Sequence, residues 1–253
     1  MKRYFTLATF IITTSAHALM GDYISSSEIP NSICRLKINF LHTCTGTLLD
    51  NETVLTAAHC VDRDHIKPGS KRFRISVKCG KKTRYVEKFS YPGSSVEGES
   101  RYLTRSQAEE RNEMQFWSWK NSDMAVLKLK KPFEYSGLPM AETYSEMIST
   151  LENSAFCGVF GAGRDNWDGI DKLRGIDLSK FKEEWQTWEQ FYQGGRGFLT
   201  TKGEKTGIRP GDSGGPIACR DSNGNWTVLS VHQSLVKGDL WIGKSRPIYQ
   251  DIN

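Results

Sequence analysis

The sequence predicts a mostly β protein assembled from many short strands. Short apolar runs dominate the chain, and each is of strand length: Cys34 to Phe40, Thr45 to Leu49, Phe73 to Val77, Met124 to Leu129, Ala155 to Phe160 and Thr227 to Val231. β-Branched and large apolar residues fill these runs, and Gly, Pro, Asn or Asp bound them, the pattern of strands separated by turns. No internal repeat or low-complexity tract is present, so neither a solenoid nor a disordered array is indicated.

Two stretches depart from the strand pattern. Residues 92–122 hold a Gly/Ser/Glu-rich loop followed by Thr104 to Trp117, where Thr104 and Gln107 have capping-box spacing and predict a short surface helix. Farther on, Leu178, Phe181, Trp185, Trp188, Phe191 and Tyr192 are spaced to share one helical face. Such a stripe serves either as a binding platform or, the ordinary use adopted here, as the apolar face of a helix packed onto a barrel.

The chain has 253 residues, enough for one or two domains with real cores. Its 38% hydrophobic and 25% charged residues give a globular balance and exclude a disordered polyelectrolyte. The net charge of +5 reads as a mildly basic, solvated surface. The alternative is a polyanion-binding exosite, best located at Lys71, Arg72, Arg74, Lys78, Lys81, Lys82 and Arg84.

Residues 1–18 have the pattern of a signal peptide, leaving 19–253 as the mature chain. Lys2 and Arg3 precede a short, mostly apolar run from Phe5 to Ile12, and Ala16-His17-Ala18 forms an A-x-A cleavage site. That run is too short to span a bilayer, and no later segment is apolar enough to do so. The expected location is secreted, extracellular or periplasmic, and an even count of six cysteines suits an oxidising compartment. Asn51-Glu52-Thr53 and Asn225-Trp226-Thr227 are glycosylation sequons that matter only in a glycosylating host.

Three local patterns carry chemistry. Thr56-Ala57-Ala58-His59-Cys60 follows the apolar pair Val54-Leu55, Asp123 opens the run Met124-Ala125-Val126-Leu127, and Gly211-Asp212-Ser213-Gly214-Gly215-Pro216 lies near the end. Taken singly, each has an ordinary structural use as a strand-end histidine, a turn aspartate or a turn serine. Together they supply what nucleophilic catalysis needs. A serine hydroxyl is a weak nucleophile until a base takes its proton. A histidine can do so near neutral pH, and a carboxylate holds that imidazole in the right tautomer.

In these motifs and their order, the chain resembles the chymotrypsin–trypsin family of serine proteases from about Leu19 to Tyr249. The resemblance implies two six-stranded antiparallel β-barrels with the active site in the cleft between them, the first barrel over about 30–135 and the second over about 150–253. It implies a secreted serine endopeptidase with the triad His59, Asp123 and Ser213 and an oxyanion hole made by the N–H groups of Gly211 and Ser213. It also implies disulfides Cys44–Cys60 and Cys157–Cys219, which leave Cys34 and Cys79 for a third bridge between neighbouring strands. In the family a freed N-terminal amine pairs with the aspartate before the nucleophile. Here Leu19, exposed by signal-peptide removal, would pair with Asp212.

The chain also departs from the family. Arg209 stands where a cysteine usually braces the specificity pocket, and the Ser-Trp-Gly run is replaced by Ser230-Val231-His232-Gln233-Ser234-Leu235. The segment between His59 and Asp123 is long, at 64 residues of separation. At the expected pocket base stands Gly207, followed by Ile208, so no carboxylate waits for a substrate Arg or Lys. Three readings stay open. Leu235 and Pro247 fill the pocket so that it takes small apolar residues; His232, helped by Arg209 or Arg246, receives an acidic residue; or His232 is a strand histidine satisfied by its neighbours.

The expected partners are protein or peptide substrates and protein inhibitors, with no nucleic acid, no membrane span and a monomeric state. No metal cluster or cofactor is expected. The competing function classes are a catalytically silent protease fold used for binding and a polyanion-binding surface as the primary role.

Overall fold

The computed structural model of the chain describes residues 24–39, 42–61, 74–92, 102–103, 123–163, 172–178, 198–199, 211–237 and 241–247. The expected signal peptide, the helix at Thr104 to Trp117 and the aromatic stripe beyond Leu178 lie outside these residues.

Strands β1 (Ile33–Ile38), β2 (His42–Leu48), β3 (Thr53–Thr56), β4 (Ile75–Cys79), β5 (Lys82–Pro92), β6 (Tyr102–Leu103) and β7 (Ala125–Leu129) form the first sheet. Their order is β4-β1-β2-β3-β7-β5-β6, and β5 also pairs with β4. That extra pairing closes six of the strands into an antiparallel barrel, with β6 hanging from β5. Alternation explains why the ring closes around a core. Along β1, Cys34, Leu36 and Ile38 are buried while Arg35 and Lys37 reach toward solvent. Leu48, Val54, Val77, Phe89 and Leu127 join the same cluster from the other strands.

The second half contains a helix, α1 (Tyr144–Asn153), and strands β8 (Phe156–Gly161), β9 (Arg174–Asp177), β10 (Phe198–Leu199), β11 (Pro216–Arg220), β12 (Trp226–Lys237) and β13 (Trp241–Pro247). The sheet runs in the order β10-β13-β12-β11-β8-β9. Here the expectation of two closed six-stranded barrels is corrected. Closure requires the first and last strands to exchange hydrogen bonds, and among the described residues β9 pairs only with β8 and β10 only with β13. The fold is one closed six-stranded barrel beside an open antiparallel sheet, not two barrels.

Helix α1 went unpredicted, although its signal is local. Thr143 caps it by accepting the Glu146 N–H at 3.1 Å, and Glu146 reaches back to accept the Glu142 N–H at 2.8 Å. Met147 then packs against Val159, Ile176, Ile217 and Leu229 of the sheet.

A third apolar cluster joins the halves. Ile33, Leu55, Met124 and Val126 from the barrel meet Phe160, Ala218, Val228 and Val231 from the open sheet. The connecting segment is tied at both ends. The Leu138 N–H donates to Leu48 O and the Ala141 N–H to Val228 O. Among the described residues no helix is long and apolar enough to cross a membrane.

Candidate active site

The site is assembled by strand pairing. β3 and β7 are antiparallel neighbours with Thr56 opposite Ala125. The residues just beyond Thr56 therefore lie beside those just before Ala125, and a gap of 64 residues in sequence is closed. His59 sits in a single 3₁₀ turn, Ala58–Cys60, which leaves β3 through the extended residue Ala57. The Asp123 carboxylate holds this turn twice. Oδ1 accepts the His59 main-chain N–H at 2.7 Å, and Oδ2 lies 2.5 Å from the ring Nδ1. The Ala58 N–H adds a third bond, to Asp123 O at 3.1 Å. The aspartate side chain is 14% exposed and the imidazole 35%. The carboxylate is thus largely shielded while the ring keeps access to solvent, with its Nε2 4.0 Å from Cys60 Sγ.

Ser213 comes from the other half. Gly211 and Gly214, at φ of 99° and 83°, turn the chain sharply on either side of it. The Gly215 N–H donates to Asp212 O at 2.9 Å. Because a peptide unit is trans, this bond turns the Ser213 N–H the opposite way. The loop is fastened to the barrel: the Thr45 N–H donates to Ser213 O at 2.8 Å, and Cys60 Sγ lies 3.7 Å from the same oxygen. No hydrogen bond joins Ser213 Oγ to His59 Nε2 among the described residues. Such bonds are commonly long without substrate and tighten in the reacting complex.

The disulfides are Cys44–Cys60, Cys157–Cys219 and Cys34–Cys79. The first ties β2 to the histidine turn, the second joins β8 to β11, and the third crosses directly opposed residues of β1 and β4.

The sequence profile of the trypsin family matches residues 25–238, most of the chain. The chain belongs to the trypsin family. Among its relatives, rat (Rattus norvegicus) chymotrypsin-C is 29% identical over 203 residues, covering 75% of this chain and 66% of that protein. Bovine (Bos taurus) chymotrypsin-C is 27% identical over 206 residues with the same coverage. The ovochymase of Halocynthia roretzi is 26% identical over 226 residues, covering 86% of this chain and 13% of that protein. The chain thus spans 66% of the length of the two chymotrypsin-C proteins it matches.

Within this trypsin-family site, Asp212 is fully buried, and its Oδ1 accepts the Gly163 N–H at 2.8 Å. Leu19, its expected partner, lies outside the described residues, as do Gly207, Ile208 and Arg209. Leu235 pairs with Gly243 and Pro247 with Ser230 between β12 and β13. His232 is completely buried. Its main chain exchanges bonds with the Ser213 loop, the Gly214 N–H donating to His232 O and the His232 N–H to Gly215 O, both at 2.8 Å. Burial pushes its imidazole pKa down to about 3, against a weaker upward pull from the Phe160 carbonyl. Of the basic run, Lys71 and Arg72 lie outside the described residues; Lys82 pairs with Glu134, and Arg84 donates to Pro132 O and lies over the Phe133 ring.

Two threonines were missed by sequence reasoning. Thr45 and Thr56 are buried, and the Thr56 hydroxyl donates to Thr45 O at 2.6 Å. A Cβ on Gly214 would overlap both Thr56 Oγ1 and Thr45 O. The Ser213 loop therefore lies flat on these residues, which in sequence are ordinary strand threonines.

Proposed function

We propose that the chain is a secreted serine endopeptidase that cleaves peptide bonds through an acyl-enzyme. The observation that carries this is the double grip of Asp123 on His59, set beside a nucleophile loop bonded to the same barrel. In this reading Ser213 Oγ attacks the substrate carbonyl and His59 Nε2 takes its proton. Asp123 keeps Nδ1–H fixed and stabilises the imidazolium, and the N–H groups of Gly211 and Ser213 hold the oxyanion. His59 then returns the proton to the leaving amine, and water repeats the sequence to free the acid.

For the residue before the cleaved bond, Gly207 argues against Arg or Lys, and a His232 held neutral argues against an acidic side chain. A small apolar residue is the preference these features favour. Three disulfides support export, with the signal peptide ending at Ala18 and Leu19 supplying the amine for Asp212. Sequencing the N-terminus of the exported protein tests this, and a start well away from Leu19 removes it.

The rival reading is a catalytically silent binding protein. A fluorophosphonate probe separates the two. Labelling of wild type but not of Ser213→Ala, with a fall in kcat on the order of a million-fold in that variant, supports the enzyme. An unlabelled, folded wild type supports the rival.

A further inference from the structure

Thr45 belongs to the barrel, yet most of its hydrogen bonds reach across to the other half. Its main-chain N–H donates to Ser213 O at 2.8 Å. Its hydroxyl donates to Gly211 O at 3.0 Å and accepts the Ala162 N–H at 2.8 Å. The side chain is fully buried, so no water substitutes for these contacts. The hydroxyl thus holds the carbonyl of the residue whose own N–H is one of the two proposed oxyanion donors.

We infer that the Thr45 hydroxyl is a positioning residue that locks the oxyanion hole in its donating orientation; this rests on the reading of the chain as a serine endopeptidase. Gly211 has a φ of 99°, in the region that glycine enters freely. With no side chain, its flanking peptide planes have low intrinsic barriers to reorientation, and an inverted plane would aim a carbonyl rather than an N–H at the oxyanion. The neighbouring Asp212–Ser213 plane is already held by Gly215. The Gly211–Asp212 plane is held by Thr45. Holding its carbonyl toward the barrel restrains ψ of Gly211 and the position of its nitrogen, so that rotation about φ alone is left to turn the Gly211 N–H. Ala162 restrains the hydroxyl from behind, so that its hydrogen is left for Gly211 O.

The test replaces the hydroxyl with a methyl of similar size. In Thr45→Val, Gly211 O and the Ala162 N–H lose their partner while the packing volume is kept. The expected result, on protein counted by active-site titration, is a kcat reduced by roughly 10- to 100-fold, a part of the loss caused by removing a hole donor outright. KM for a peptide substrate stays within about twofold, since only the transition state carries the oxyanion. A peptide boronate, which presents a tetrahedral oxyanion mimic, weakens in parallel with kcat. Thr45→Ser, which restores the hydroxyl, recovers most of the loss. A purely structural role would lower the unfolding temperature yet leave kcat per titrated site unchanged, and that result overturns the inference. So does a serine variant as slow as the valine variant. If the valine variant yields no folded protein, Thr45→Ala is read against Thr45→Ser by the same criteria. A folded wild type that neither hydrolyses peptides nor reacts with fluorophosphonate overturns the endopeptidase reading and this inference with it, whereas an active wild type matched by the valine variant overturns this inference alone.

Discussion

Gly161 lies flat against the carboxylate of Asp212: a Cβ at that position would overlap Oδ1 and come within 2.5 Å of Cγ. The carboxylate cannot retreat freely, because it is fully buried and bonded to the Gly163 N–H. Gly161→Ala should therefore cost about 1–3 kcal/mol of stability by overpacking. Because Asp212 sits between the two proposed hole donors, kcat should fall by roughly 10²-fold, the scale of one lost donor. Thermal unfolding and kcat per titrated site check the two effects separately.

Asp123→Asn tests the grip on His59. An amide oxygen still accepts the main-chain N–H that Oδ1 takes at 2.7 Å, so the turn keeps its place. The ring loses its anionic partner and, with it, the preference for the reactive tautomer. A fall in kcat on the order of 10⁴-fold with little change in unfolding temperature is expected. Comparable losses in both would mean that Asp123 acts only as a structural clamp.

The disulfides should separate stability from activity. Cys34–Cys79 spans 45 residues and Cys44–Cys60 spans 16, so chain entropy makes the longer bridge worth about 1 kcal/mol more. The shorter one touches the site, with Cys60 Sγ 3.7 Å from Ser213 O. Paired alanine replacements should therefore destabilise more at 34 and 79 and slow turnover more at 44 and 60. Denaturant unfolding alongside kcat measures both.

His232 makes stability depend on pH. Its pKa is about 3 in the folded protein and 6.5 for the unperturbed side chain. Between those values the unfolded chain binds a proton that the native state refuses. The contribution is full above the unfolded value and is lost as pH falls through it toward the folded one, with a slope up to about 1.4 kcal/mol per pH unit. Unfolding followed from about pH 7 to pH 4 should show this slope, and His232→Phe should flatten it.

The core strands were readable because their signal is local. Ile33–Ile38, Ala125–Leu129 and Phe156–Gly161 are apolar runs bounded by turn residues. β3 and β9, each of four residues, are too short to register. Helix α1 was legible in principle, since Thr143 and Glu146 have the spacing of a capping pair, but the spacing went unread beside the longer stretches. His59, Asp123 and Ser213 were singled out because their flanking motifs are contiguous. Thr45 and Thr56 were not, because a threonine in a strand reads alike whether it faces solvent or a nucleophile loop.

The sequence by itself determined the β class, the three motifs and membership of a protease-like family, all of which depend on residues adjacent in the chain. Tertiary structure decided what depends on distant residues meeting. The pairing of β4 with β5 closed one barrel, while β9 and β10 remained edges of an open sheet. Complete burial lowered the pKa of His232, which its place in the sequence does not reveal. Packing of the two halves brought the Thr45 hydroxyl to Gly211, 166 residues away. Hydrogen bonding and desolvation act through space, and which groups share that space is set only once the chain has closed on itself.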